Sequence, residues 1–192
     1  MPGKSADRAA RRARLIELIK SRSFQKGPEF KLASGKTSTF YFNMKPTMLD
    51  SEGAYLVASL ILDQLEGTEA DLIGGLEMGA VPIAASVAAV AFTEGRKLPA
   101  FFVRKQAKEH GTQSLIEGLM KGESLEGKKV VVVEDVTTTG GSALKAAEAL
   151  KTAGAAIVSV ITIVDRLDGA AETFADAGLK FEPLLTLADF RS

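Results

Sequence analysis

At 192 residues with 46% hydrophobic side chains, the chain is long enough to bury one full core, and a single domain with a small N-terminal appendage is expected. Its 24 basic and 24 acidic residues cancel, so no overall field favours nucleic acid or an anionic membrane. The lack of cysteine excludes disulfides, thiolate-bound metal and thiol catalysis, and fits a reducing compartment.

Residues 6–20 place Leu15, Ile16, Leu18 and Ile19 at helical spacing behind a charged face, which predicts an amphipathic opening helix. This basic segment lacks the apolar core of a signal peptide, and a soluble cytoplasmic protein is expected. In "EFKLASGKTSTFYFN" the apolar runs 30–32 and 40–42 flank a Ser-Gly-Lys turn, a hairpin signal. Asp50 is placed to cap a helix running to about Leu65. These elements, residues 1–66, read as an N-terminal helix, hairpin and hood.

From residue 67 the rhythm changes. "DLIGG", "PAFFV", "KKVVVVED", "AAIVSVITIV" and "FEPLLTL" read as strands, with helices over 80–95, 141–154 and 170–177 between them. Val/Ile runs without alternation, separated by helices, predict an α/β fold: an open, mostly parallel sheet covered by helices on both faces. Such sheets bind ligands beyond the C-terminal ends of their strands. The most apolar stretch, 81–92, contains Pro82 and is too short to cross a bilayer. One segment, 105–127, is polar, dotted with glycines and longer than an ordinary connection, the form of a functional lid or a disordered segment.

The chemistry concentrates in "VVVVEDVTTTGGS", residues 130–142. Glu134 and Asp135 fall where a buried strand emerges at the ligand edge. Val136, Thr137, Thr138, Thr139, Gly140, Gly141 and Ser142 then lead into a helix N-terminus, where backbone N–H groups and hydroxyls favour an oxyanion and glycine permits close approach. Acids beside a phosphate cradle suit a ribose 5-phosphate, whose diol hydroxyls meet the carboxylates. A Walker loop requires a lysine after its glycines, and a dinucleotide fingerprint puts its acid after them; neither pattern is present.

This segment resembles the PRPP (5-phosphoribosyl 1-diphosphate) motif of type I phosphoribosyltransferases. Ahead of it, "RKQAKEHG" (104–111) holds three cations and the chain's one histidine, and resembles the lid signature of the orotate phosphoribosyltransferase family; the likeness runs over nearly the whole chain. The resemblance implies the type I phosphoribosyltransferase fold and the transfer of phosphoribosyl from PRPP to orotate with Mg²⁺. It also implies a homodimer in which each lid serves the neighbouring subunit. By position, Arg104, Lys105, Lys108 and His110 bind the pyrophosphate end of PRPP, and residues 134–142 hold the ribose 5-phosphate. Thr138 and Arg166, the latter in "VDR", contact orotate; Lys108, His110 and Asp135 carry catalysis. No metal-ligand set is expected in the chain itself, since the ion binds mainly through PRPP and water. For Arg166 the plainer reading is an ion pair with Asp165 or Asp168.

Two positions depart from the family pattern. Ala33 stands in "LASG" where many members have lysine, and Met78-Gly79 in "GLEMGAVP" replace a Tyr-Lys pair; Lys36 and Lys45 are candidate substitutes. The rival readings are a phosphoribosyltransferase for another base and a non-catalytic PRPP-sensing regulator that binds nucleic acid. Balanced charge disfavours the second, and a cation at 166 disfavours a purine.

Overall fold

The computed structural model describes residues 3–31, 37–106 and 115–191. Helix α1 (Gly3–Arg22) is two or three residues longer at each end than the sequence pattern predicts. It buries Leu15, Leu18 and Ile19 and turns its arginines outward, where Arg11 meets Asp63 at 2.9 Å and Arg12 meets Asp189 at 2.8 Å. The hairpin forms from β1 (Phe24–Lys31) and β2 (Thr37–Phe42), antiparallel, with Phe24 paired to Phe42. Its inner aromatic rings pack on Phe190, the Phe42 and Phe190 centroids lying 5.1 Å apart. A single turn, α2 (Lys45–Met48), precedes α3 (Ser51–Gln64), and Asp50 caps α3 by accepting from the backbone N–H groups of Glu52 and Gly53.

The remaining strands are β3 (Leu72–Leu76), β4 (Ala100–Val103), β5 (Ile116–Glu117), β6 (Lys129–Thr137), β7 (Ala156–Asp165) and β8 (Phe181–Thr186). Helices α4 (Ala80–Thr93), α5 (Gly141–Thr152) and α6 (Ala170–Asp176) connect them. They form one sheet in the order β5-β4-β3-β6-β7-β8, parallel except for β5, which runs antiparallel to β4. The valine run explains itself. Val131 and Val133 join a core with α1, α3 and α4, whereas Val130 and Val132 join a second core with α5 and α6. A strand covered on both faces has no polar side to display. Because α1 and α3 share their core with the sheet, the N-terminal elements are built into the α/β unit.

Chain order reverses between β3 and β6: β3 leads through α4 to β4 on one side, and β6 leads through α5 to β7 on the other. That reversal opens a crevice at the strand C-termini, where an α/β sheet accepts ligand. The loops ending in Gly79 and Gly140 start α4 and α5 at this crevice. Residues 105–127, expected to be loop throughout, include β5. Its pairing extends the sheet edge, with Phe102 opposite Glu117.

Candidate active site

The site grows from the end of β6. Glu134 is 6% exposed, and its Oε1 accepts from the Asp135 N–H at 3.3 Å. Its Oε2 is buried without a partner among the described residues. Burial, then the charge of neighbouring Asp135, push the Glu134 carboxyl well above the ordinary carboxylate range, while the Lys105 ammonium pulls it back. Asp135 is half-buried, and its Oδ1 accepts from the Val136 N–H at 2.9 Å. Two adjacent carboxylates, one of them buried and under-satisfied, form a site prepared for hydroxyls or a cation.

The chain then turns into α5. Gly140, at φ +81°, takes the left-handed conformation that starts the helix, and a side chain here would strike the Phe174 ring at 2.8 Å. A cavity of about 280 Å³ opens along Glu134 and residues 136–143, with Lys145 at its rim. Thr138 and Thr139 are half-buried and Gly141 and Ser142 exposed, so backbone and hydroxyl donors meet at a helix N-terminus open to solvent. Thr137 differs from its neighbours: it is buried, and its Oγ1 finds no partner among the described residues.

Across the crevice, Gly79 explains one departure from the family pattern. A Cβ there would stand 2.7 Å from Asp135 Oδ1 and 3.1 Å from Glu134 Oε1. The loop ahead of α4 packs directly onto the acid pair, and a lysine would displace it. The described cation acting on Glu134 is Lys105. Its neighbour Arg104 follows β4 at the start of the 105–127 segment, donating its N–H to the Leu115 carbonyl at 2.7 Å and approaching Glu117 at 3.9 Å. Lys108 and His110 lie outside the described residues, as do Ala33 and Lys36. Lys45 opens α2 and is exposed.

Arg166 follows β7 directly and is 4% exposed. Its Nη2 donates to Ser38 Oγ at 2.8 Å, its Nη1 to the Phe40 carbonyl at 3.1 Å and its Nε to Asp168 at 3.3 Å. The ion pair with Asp168 is real, yet two of the three bonds go to the hairpin. Asp165, the other candidate partner, instead accepts from the Leu167 N–H at 3.0 Å, and burial raises its pKa. Leu167 is exposed at φ +61°, a conformation a branched side chain adopts only when its surroundings force it. Sequence reasoning missed Ser38 and Phe40 as partners of Arg166, and missed Glu77, whose Oε1 accepts from the Lys105 N–H at 2.9 Å. No local signal marks any of the three.

The described residues hold no grouping of three or more His, Asp or Glu side chains arranged to bind a metal. They also contain no helix long and apolar enough to cross a membrane.

Residues 48–178 match the family model described as phosphoribosyl transferase domain. The orotate phosphoribosyltransferase of Rhodopseudomonas palustris (strain BisB5) is 56% identical over 95% of this chain and 97% of its own length. Among solved structures, the orotate phosphoribosyltransferase of Mycobacterium tuberculosis in complex with Fe(III) dicitrate is 37% identical with a TM-score of 0.80, covering 95% of this chain and 99% of that one. The same enzyme in complex with PRPP is 35% identical with a TM-score of 0.76, covering 93% of this chain and 98% of that one. The fold, the acid pair at the sheet's switch point and these likenesses agree: the chain belongs to the phosphoribosyltransferase family and, within it, to the orotate phosphoribosyltransferases.

Proposed function

We propose that this chain transfers the phosphoribosyl group of PRPP to N1 of orotate, giving orotidine 5′-phosphate and pyrophosphate, a step of pyrimidine biosynthesis. The observation that carries the reading is the Glu134–Asp135 pair, with Glu134 under-satisfied, beside the cradle at residues 137–142. The N1–C1′ bond forms as the C1′–oxygen bond breaks with inversion; the bonding pair leaves with pyrophosphate, and the proton lost from N1 is taken up by pyrophosphate or water.

In this reading the N–H groups and hydroxyls of residues 137–142 hold the 5-phosphate. Glu134 and Asp135 accept from the ribose hydroxyls. Hydrogen bonds and positive charge favour the ionised form of Glu134, which burial disfavours in the free enzyme, so binding and deprotonation are coupled. Mg²⁺ suits this set of hard oxygen donors, with Glu134 and Asp135 as the residues nearest to hold it and most of its ligands coming from substrate and water. When bound, it supplies charge neutralisation on the leaving pyrophosphate.

Arg166 takes the orotate carboxylate. A guanidinium has five N–H donors, and the three bonds described leave two for an incoming carboxylate. The hairpin bonds fix the plane of the guanidinium before the base arrives, and Thr138, which lines the cradle cavity, is the second residue assigned to the base. Arg104, Lys105, Lys108 and His110 meet the pyrophosphate. Electrostatic stabilisation of the departing charge is where such cations act most strongly.

A homodimer with shared lids is part of the proposal. It is supported by an apolar stripe on the outer face of α4, where Ala85 and Ala89 are exposed and Phe92 is 80% exposed. A cytoplasmic location accords with the lack of cysteine.

The test is a panel of bases. Purified protein with PRPP and Mg²⁺ is offered orotate, uracil, adenine and hypoxanthine, and nucleotide formation is followed. Turnover with orotate alone is expected. Preferential turnover of adenine or hypoxanthine would reassign the base, and salt-sensitive RNA or DNA binding without turnover would favour a regulator.

A further inference from the structure

We propose that Glu77 is a positioning residue that sets the root of the lid against the loop that starts α4. The inference rests on the lid reading given under Proposed function and extends it to a residue to which the family resemblance assigns no role. Strands β3 and β4 pair from Ile73–Ala100 to Leu76–Val103, and the Glu77 N–H continues the ladder one step further by donating to the Val103 carbonyl at 2.8 Å. There the two chains part, one turning through Met78 and Gly79 into α4, the other into the lid. The next backbone donor on the lid side, the Lys105 N–H, has left the ladder, and the Glu77 carboxylate accepts from it at 2.9 Å. On the opposite side Arg104 is held by the Leu115 carbonyl. The first two cations of the lid are therefore gripped from both sides.

The grip matters because both ends of it reach the acid pair. Two residues after Glu77, Gly79 packs on Asp135 and Glu134. On the residue whose N–H Glu77 holds, the Lys105 side chain acts electrostatically on Glu134. Glu77 thus fixes the offset between the loop that starts α4 and the cations that follow it. It needs an acceptor at the end of a two-methylene stem for this; its charge is secondary. That requirement separates it from a group acting directly on substrate.

The experiment compares Glu77→Ala, Glu77→Asp and Glu77→Gln in steady state, alone and with Lys108→Ala. Loss of one positioned hydrogen bond predicts a kcat roughly tenfold lower in the Ala and Asp enzymes, with the orotate KM within about twofold of wild type. Gln keeps reach and acceptor and stays within about twofold of wild type. Asp keeps the charge but is one methylene short, so it informs even if the Ala protein folds poorly. Trypsin cleavage after Arg104 or Lys105, read by mass spectrometry, should accelerate in Ala and Asp and return to the wild-type rate in Gln. In the Lys108→Ala background Glu77→Ala should cost nothing further, because both act through the lid. A Gln enzyme as slow as Ala, an Ala enzyme as fast as wild type, or full additivity with Lys108→Ala would each overturn the inference. A Lys108→Ala enzyme with wild-type kcat would instead sink the lid reading itself.

Discussion

Replacing Glu134 with glutamine should make the free protein more stable and the enzyme worse. The side chain is buried, its Oε2 has no partner among the described residues, and Asp135 lies beside it. Glutamine keeps the shape and the Oε1 acceptor, removes the charge and converts repulsion with Asp135 into a possible N–H···O bond. A buried unsatisfied polar group costs about 1–3 kcal/mol, so a gain of that order is expected near neutral pH. For a domain of this size each kcal/mol moves Tm by about 2–4 °C, which places the rise at roughly 2–12 °C. The pH dependence fixes the cause. Because the Glu134 pKa is raised in the folded state, its protonated form contributes stability that is fully present below the unfolded value of about 4.3 and is lost as pH rises through the folded value. The gap between mutant and wild type should therefore be widest at alkaline pH and close towards pH ~4–5. Carboxylates that do not interact with Glu134 titrate alike in both proteins and cancel in the difference. Thermal unfolding followed by circular dichroism across this range, with and without PRPP and Mg²⁺, reads all of it. With ligand the order should reverse, since the wild type binds more tightly and gains more from mass action. A mutant less stable at every pH, or a gap that does not change with pH, would show that the Glu134 carboxylate is satisfied in the free protein.

Arg166→Ala should raise the orotate KM far more than that of PRPP, by about 1.5–3 kcal/mol for a lost charge-assisted contact, and loosen the hairpin through Ser38 and Phe40. Equal changes in the two KM values would count against Arg166 as the base-site cation. Gly79→Ala should lower kcat/KM for PRPP roughly tenfold or more at nearly unchanged Tm, because the new methyl meets the mobile Asp135 carboxylate and turns it aside; unaltered kinetics would refute that. Mixing Lys108→Ala with Asp135→Asn subunits, each nearly inactive alone, should return up to roughly a quarter of wild-type activity if lids cross between subunits, since random pairing gives half the dimers one intact site. No recovery despite demonstrated subunit exchange would confine lid and cradle to one chain.

What could be read in the sequence follows from what is local. The β6 valines and the Glu-Asp-Val-Thr run declare a doubly covered strand and its ligand end, because both depend on neighbours a few residues away. Asp50 as a cap and Gly140 at the start of α5 follow the same local rules. Strand β5 escaped because two residues in a polar segment carry no period, and only the free edge of β4 makes them a strand. The bonds from Arg166 to Ser38 and Phe40 span 128 and 126 residues and depend on where the hairpin docks. Gly79 could be seen as a departure, but its reason, the carboxylates a side chain would strike, exists only once β3 and β6 lie side by side. The site's chemistry is thus written in contiguous motifs, and its support is written in the packing between distant ones.

The central claim is that the β6–α5 cradle presents PRPP to orotate. Pyrophosphate release from PRPP, measured in the presence of Mg²⁺ with and without orotate, tests it most directly. Release that requires orotate, matches orotidine 5′-phosphate mole for mole and collapses in the Asp135→Asn protein is the predicted result. Release at the same rate without orotate, or undiminished in Asp135→Asn, would contradict it.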